Sequence, residues 1–235
     1  MGDEKLRQAI DNAIAVLEAP QAMLDQAASR MELLRRAAVG SPCTCDGAWI
    51  PGAKWVLQNN HEDIAAFCND VCRALEVGAR RGTNMALVGA PGSGKSMLFE
   101  PFDGIYKVMG KPQSGSSFPL AGAIGATVLV WQDWKHDDKT VAFEDLLSFF
   151  VGELVDIRVP HQRNVSYRNT SPLFYTSNSI LQTVRHDAGL MDRLNAAMAE
   201  RFTTRVWRNP LPMQGRAADF HVAADAAPHA SLMHR

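Results

Sequence analysis

The sequence has no apolar run long enough to span a bilayer, which argues against a membrane-embedded helix. It also lacks an excess of charge of either sign. The formal net charge is −1, so any contact with nucleic acid must come from a local basic patch. The first five residues, Met1 to Lys5, include acidic side chains and do not resemble a secretory signal. We therefore expect a reducing compartment, in which the four cysteines need not form disulfides.

The amino-acid composition is that of an ordinary globular protein. Of the 235 residues, 46% are hydrophobic and 21% are charged, which suits one main domain with appendages. Residues 3–39 show helical spacing on both sides of Pro20, which predicts a helix pair that packs on the domain or supports oligomerisation. Glycine and proline punctuate residues 40–60 and predict an irregular linker. A helix from Asn60 to about Ala79 should follow.

One glycine-rich motif dominates the middle of the chain. The segment from Gly89 to Ser96 matches G-x-x-x-x-G-K-[ST], the phosphate-binding loop of P-loop NTPases. Its glycines let successive backbone N–H groups point at one anion. Lys95 adds a charge for the β- and γ-phosphates, and the Ser96 hydroxyl suits Mg²⁺. The motif predicts a nucleotide site formed by Gly89, Ala90, Pro91, Gly92, Ser93, Gly94, Lys95, Ser96 and Met97.

The surroundings of this motif have the expected order. Residues 84–88 predict a short buried strand before the loop, and Ser96 to Phe99 predict the start of a helix after it. The N-terminal dipole of such a helix favours phosphate. The alternative is a glycine-rich turn that matches by accident, and the order of strand, loop and helix argues against it.

Two further buried strands end in polar residues. Residues 127–131 end in Gln132 and Asp133, where a P-loop NTPase places its Mg²⁺ carboxylate. Residues 172–176 end in Ser177 and Asn178, and an amide there can orient the attacking water. Taken singly, each residue is equally typical of a turn. After a phosphate loop, they predict catalytic roles for Lys95, Asp133 and Asn178 and metal contacts from Ser96 and Asp133.

Residues 154–168 alternate in polarity and predict a β-hairpin with a polar, basic tip. Tyr167 can stack on a base or sugar, and the alternative is an ordinary solvated hairpin. The candidate donors to DNA are Arg158, His161, Arg163 and Arg168.

The remaining segments predict connecting elements. Thr140 should cap a helix whose buried stripe includes Phe143 and Phe150. A helix is expected at 190–199 and a strand at 203–207. The four cysteines suggest either a zinc site or thiols that pack as small hydrophobes, since their spacing lacks the tight C-x-x-C pairs of strong zinc motifs; they are Cys43, Cys45, Cys68 and Cys72.

The order of these motifs resembles that of the superfamily III helicases of small DNA viruses, such as the papillomavirus replicative helicase, polyomavirus large T antigen and the parvovirus non-structural replication protein. The resemblance covers residues 62–212. The run P-L-F-Y-T-S-N at 172–178 is very close to the papillomavirus-type motif C, and Gln132-Asp133 stands at Walker B. Arg201, ahead of a strand, looks like the arginine finger that reaches a neighbouring subunit's ATP.

Several positions depart from the family pattern. The family has two adjacent acids at Walker B, whereas Gln132 occupies the first position here. The Lys-His pair of the family's hairpin is replaced by residues 160–163, which makes His161 and Arg163 the candidate strand-gripping pair. We find no origin-binding or nicking domain.

The resemblance implies an α/β fold: an AAA+-like P-loop domain with a mainly parallel sheet and helices on both faces, preceded by N-terminal helices. The expected division is 1–60 as helical pair and linker, 61–212 as ATPase domain, and 213–235 as a poorly ordered tail. The resemblance also implies ATP and Mg²⁺ as cofactors, single-stranded DNA as partner, a ring that is a hexamer, no membrane, and a nuclear location. The alternatives are a nucleotide-binding scaffold that has lost turnover and an AAA+ NTPase that acts on protein.

Overall fold

The structure, a computed structural model, describes residues 27–40, 47–161, 164–180 and 188–212, together with residues 4–8, 10 and 13. The chain divides into two compact units, residues 1–41 and 42–235. In the first unit, residues 4–8 are helical, and helix α1 comprises Arg30–Gly40. The predictions for Pro20, Cys43, Cys45 and the tail from residue 213 fall outside the described residues.

The second unit is built on a five-stranded sheet in which every pairing is parallel. Its strands are β1 (Asn84–Gly89), β2 (Val108–Met109), β3 (Val128–Trp131), β6 (Leu173–Ser177) and β7 (Phe202–Trp207). They lie in the order β2-β3-β6-β1-β7. A separate antiparallel pair is formed by β4 (Leu154–Ile157) and β5 (Val165–Arg168). The carboxyl ends of β1, β3 and β6 therefore meet at one edge of the sheet, where α/β proteins bind ligands.

Helices and short 3-10 segments connect the strands. The helices are α2 (Trp49–Asn59), α3 (Ile64–Val77), α4 (Phe143–Phe150) and α5 (Ala188–Ala199). The 3-10 segments are Ser96–Leu98, Glu100–Gly104 and Ala121–Ala123.

Both faces of the sheet are covered, as two neighbouring residues of β6 show. Tyr175 contacts Trp134 and Phe202 on the face where the buried side chains of α4 collect. The ring of Phe174 points the other way and packs against Phe99 and Phe102, with ring centroids 5.2 and 4.9 Å apart. Successive side chains of a strand alternate between faces, so one strand supports two apolar layers. The α/β class with a mainly parallel sheet is confirmed.

The prediction that residues 40–60 are irregular is wrong, because α2 occupies much of that range. Pro51 lies in the first turn of α2, where its missing N–H has no intrahelical role. One face of the helix buries Ala53, Val56 and Leu57. Burial of that face outweighs the weak helix propensity of proline and glycine.

Two predicted helix starts are also wrong. Asn60 ends α2, while Asp63 caps α3 by accepting bonds from the backbone N–H groups of Ala65 and Ala66 at 2.9 and 3.1 Å. Thr140 does not cap α4, because its hydroxyl donates to the Asp137 carboxylate at 3.3 Å.

The helix predicted from Ser96 is replaced by the two short 3-10 segments Ser96–Leu98 and Glu100–Gly104. Pro101 supplies no backbone N–H, which disfavours a continuous α-helix through this stretch. The dipole of a long helix is therefore absent behind the phosphate loop, and the loop must be shaped by its other neighbours.

Candidate functional site

The glycine-rich loop begins at the end of β1 and is pressed against β7. A Cβ on Gly89 would lie 1.8 Å from the backbone oxygen of Trp207, the same oxygen that accepts a bond from the Ala90 N–H at 2.9 Å. Gly94 has φ +86°, and a Cβ there would lie 2.7 Å from Val56 Cγ1. Both positions therefore require glycine for reasons of space as well as loop chemistry.

Segments far apart in the sequence hold the loop in place. The Asn60 side-chain amide donates to the Ser93 backbone oxygen at 3.2 Å. On the other side, the Leu211 N–H donates to the Gly92 backbone oxygen at 2.9 Å. Within the loop, the Ser93 hydroxyl donates to the Ala90 oxygen at 2.9 Å. The end of α2 and the residues after β7 thus take the supporting role that a following α-helix would have.

Lys95 is turned into the loop and is 5% exposed. Its ammonium donates to the backbone oxygens of Ala90 and Gly89 at 2.7 and 2.9 Å and to the Ser93 hydroxyl at 3.3 Å. Burial lowers the pKa of Lys95, and the nearby Asp133 carboxylate acts in the opposite direction. The structure thus places the predicted phosphate-binding charge and the predicted Mg²⁺ carboxylate within electrostatic reach of each other.

Asp133 is the second residue after β3 and has a left-handed backbone conformation, with φ +46°. Aspartate is one of the few non-glycine residues that tolerate this region. Its side chain is exposed, and its backbone oxygen accepts a bond from the Lys111 ammonium at 3.2 Å. Gln132, at the position of the family's first acid, is partly buried.

Thr176 joins the loop to the Asp133 turn, and the motifs in the sequence do not single it out. This residue of β6 is 0% exposed, and its Oγ1 accepts a bond from the Asp133 N–H at 2.9 Å. The same oxygen lies 3.5 Å from Ser96 Oγ. In the sequence, Thr176 is recognisable as a hydroxyl residue two positions before the predicted Asn178. The pairing of β3 with β6 in the structure then shows that this hydroxyl contacts the Asp133 turn.

Asn178 follows β6 directly and is exposed. The preceding residue, Ser177, pairs with Val88, the residue before Gly89. The predicted water-orienting amide therefore lies at the same edge of the sheet as the loop. Four of the predicted site residues, Lys95, Ser96, Asp133 and Asn178, follow three separate strands whose ends the topology brings together.

Arg201 lies elsewhere and is bonded within its own chain. Its guanidinium donates to the backbone oxygens of Ala197 at 2.8 Å and Leu147 at 3.2 Å. The side chain is 12% exposed. In this arrangement Arg201 links the middle of α4 to α5. Its action on a neighbouring subunit stays a prediction that requires these bonds to open.

The predicted DNA-contacting residues are spread along the hairpin of β4 and β5. Arg158 and His161 are exposed near the segment that joins β4 to β5, which we call the free end of the hairpin. Arg168 lies at the opposite end, paired with Leu154, and donates to the Gly152 backbone oxygen at 3.1 Å. A strand of this length spans about 10 Å, so Arg168 belongs to a different surface from the tip. Arg163 falls outside the described residues.

Tyr167 has an internal role in place of the base contact that the sequence suggested. Its hydroxyl donates to the Ala123 backbone oxygen at 2.8 Å, and its ring lies 6.4 Å from that of Phe149. Burial raises the pKa of its hydroxyl. Tyr167 therefore fastens the hairpin to the domain.

Cys68 and Cys72 lie on α3, the first exposed and the second partly buried. Among the described residues, no group of three or more His, Cys, Asp or Glu side chains is placed to hold a metal ion. Within that same part of the chain, no helix has the length and apolar character that a bilayer crossing requires.

The residues at the sheet edge fit ATP and Mg²⁺ by their chemistry. Gly92 has φ +71° with open space where a Cβ would lie, as a phosphate cradle requires. The Ser96 hydroxyl and the Asp133 carboxylate are oxygen donors of the kind that Mg²⁺ prefers. Lys95 supplies the balancing positive charge for phosphate.

No protein-family profile and no curated protein sequence matches the chain. Solved structures do match. A structure of JCV helicase with a bound small molecule is 13% identical, with a TM-score of 0.55, over 93% of this chain and 63% of that one. An apo structure of the NrS-1 C-terminal region is 15% identical, with a TM-score of 0.50, over 74% of this chain and 42% of that one.

The fold of the chain is similar to that of the matched part of JCV helicase. The resemblance to viral helicases that the motifs predict is thus confirmed at the level of the fold. The chain spans less than two thirds of either matched structure, so the activities of those whole proteins reach this chain only as proposals.

Proposed function

We propose that this chain is an ATP-dependent DNA helicase or translocase of the viral replication-protein type, which hydrolyses ATP between the subunits of a ring. The observation that carries the proposal is the meeting of Ser96 and Asp133 at the Thr176 hydroxyl, with the Lys95 ammonium in electrostatic reach of the Asp133 carboxylate. The helicase-like fold supports it.

Each residue of the edge has a distinct role in this proposal. The loop N–H groups and Lys95 bind the phosphates, and Lys95 exchanges its bonds to the Gly89 and Ala90 oxygens for phosphate oxygens. Ser96 and Asp133 hold Mg²⁺, which supplies charge neutralisation when bound. Asn178 orients the attacking water.

Coupling to DNA involves the hairpin. Arg158 and His161 at its free end contact DNA phosphates, a contact that is sensitive to salt and largely blind to sequence. Arg201, delivered from the next subunit, stabilises charge in the transition state.

Steady-state ATPase activity with and without single-stranded DNA tests the proposal, with Lys95→Ala and Arg201→Ala in parallel. We expect DNA to stimulate turnover in the wild type and both variants to lose it. A wild-type rate that ignores DNA would contradict the translocase.

A second candidate function is a nucleotide-binding scaffold with weak or no hydrolysis. Two observations favour it: Gln132 replaces an acid, and the Arg201 guanidinium is occupied by Leu147 and Ala197. Gln132→Glu discriminates between the two functions. A large gain in hydrolysis would support the scaffold, and an unchanged, substantial wild-type rate would support the translocase.

A further inference from the structure

Thr176 is the one residue of β6 whose side chain touches both halves of the candidate site in the described part of the chain. Its hydroxyl accepts from the Asp133 N–H at 2.9 Å and lies 3.5 Å from Ser96 Oγ. Its backbone oxygen accepts from the Trp134 N–H at 2.9 Å. Thr176 thus holds the chain on both sides of the Asp133 carboxylate.

We propose that Thr176 is a positioning residue that sets Ser96 and Asp133 to bind a divalent cation together with nucleotide. The inference rests on the proposed nucleotide-binding function and deepens it. Thr176 acts through its two neighbours and need not touch the cation.

The donors and acceptors of the hydroxyl groups support this role. A threonine hydroxyl carries one proton and two lone pairs, and the Asp133 N–H occupies one of those lone pairs. The other can accept the Ser96 proton, which leaves both lone pairs of Ser96 free for a cation.

The turn after β3 adds a second reason. Asp133 adopts φ +46°, a conformation that surrounding bonds must maintain. The bonds from the Asp133 and Trp134 N–H groups to Thr176 maintain it. Without the Thr176 hydroxyl, the carboxylate loses one of these two restraints on its direction.

A partly buried threonine on β7 provides a control. Thr204 Oγ1 is buried and has no hydrogen-bond partner among the described residues. Thr204 pairs with Ala86 in the same sheet. Thr204→Val therefore makes the same chemical change as Thr176→Val without removing a hydrogen bond.

The test is ADP affinity, measured by calorimetry in excess Mg²⁺ and in EDTA. For Thr176→Val we expect the Mg²⁺-dependent gain in affinity to fall about tenfold, while affinity in EDTA changes by less than about twofold. Thr176→Ser should keep the gain because it keeps the hydroxyl, and Thr204→Val should match the wild type. Thr176→Cys, a weak acceptor, should resemble the valine variant and serves if the latter does not fold.

The outcomes separate the inference from the proposed function. A wild type that binds no ADP in either condition would overturn both. A wild type that binds ADP, with a Thr176→Val variant that keeps the full Mg²⁺ gain, would overturn the positioning role alone. Equal losses with Mg²⁺ and EDTA would also overturn it, since they would indicate general damage to the loop.

Discussion

The three glycines of the phosphate loop differ in the atoms that an added Cβ would contact. This difference predicts the order in which their replacement by alanine lowers the free energy of unfolding. Gly92→Ala meets only the left-handed backbone penalty, about 1 kcal/mol. Gly94→Ala adds the contact with Val56 Cγ1, and we expect about 2–3 kcal/mol. Gly89→Ala places a Cβ against the Trp207 backbone oxygen, which cannot move aside, and should cost most. Urea denaturation measures all three.

The contact with Val56 can be separated from the backbone penalty. The double variant Gly94→Ala/Val56→Ala should cost less than the sum of the single variants, by about 1 kcal/mol, because the clash is absent once the valine methyls are removed. Strict additivity would show that Val56 does not limit this position.

Lys95 makes the stability of the fold depend on pH. Burial lowers its pKa from the ordinary 10.5, the value we assign to the unfolded chain. Between the folded and unfolded pKa values the unfolded state binds more protons, so the free energy of unfolding rises with pH across that window. Below it both states are protonated and the contribution is constant.

The Lys95→Met variant isolates this contribution. We expect the difference in unfolding free energy, wild type minus variant, to increase with pH in the range that ends at 10.5, the pKa of the unfolded chain, and begins at the lowered pKa of the folded chain. A difference that falls over this range would mean that the Asp133 carboxylate outweighs burial.

The residues of the site were predictable to different degrees. Lys95 and Ser96 follow from the motif, because the chemistry of phosphate and Mg²⁺ restricts the residue types. Thr176 does not, because its role depends on the pairing of β6 with both β3 and β1, which brings Asp133 and Ser96 to the same hydroxyl. Spacing along the chain carries no such information.

At the scale of elements, the hairpin of β4 and β5 combines an anchored end and a free end. Tyr167→Phe removes the bond to the Ala123 oxygen and should cost about 1 kcal/mol of stability without changing affinity for single-stranded DNA. Arg158→Ala should do the reverse, weakening DNA binding and lowering the salt slope by about one, with stability unchanged.

Fluorescence anisotropy over a salt series and thermal denaturation measure the two effects of these hairpin variants. Arg168→Ala is the matched arginine control, since Arg168 lines a separate cleft of about 650 Å³ with Arg80 and Arg81. Equal losses from Arg158→Ala and Arg168→Ala would show that the tip has no special role.

The elements themselves were predictable where apolar periodicity dominates. The sequence predicts residues 84–88, 127–131 and 172–176 as buried strands, and β1, β3 and β6 lie within one residue of those bounds. The sequence does not predict α2, because its proline and glycine indicate a linker. Pro51 is compatible with a first helical turn, but only the buried face of α2 in the structure shows that the segment is a helix. The predicted helix after the phosphate loop is also absent, because Pro101 disfavours a continuous helix there.

At the scale of the whole molecule, Arg201 can have one of two roles: a brace that links elements of its own chain, or an arginine finger that reaches the site of a neighbouring chain. Its bonds to the Leu147 and Ala197 oxygens make it a brace in this structure. If Arg201 is only a brace, the Arg201→Ala variant should be less stable and inactive, and mixing it with a second variant should not restore its activity.

If Arg201 also acts in trans, mixing two inactive variants should restore activity. A Lys95→Ala subunit keeps its Arg201 and can donate it to the intact loop of an Arg201→Ala neighbour. In a randomly mixed ring about one interface in four then joins an intact loop to an intact arginine, and we expect ATPase activity near that fraction of the wild type. The double variant Lys95→Ala/Arg201→Ala, mixed with Arg201→Ala, is the control and should stay inactive. No activity in the first mixture would confine Arg201 to its role within one chain, and a ring would then need another residue to complete each site.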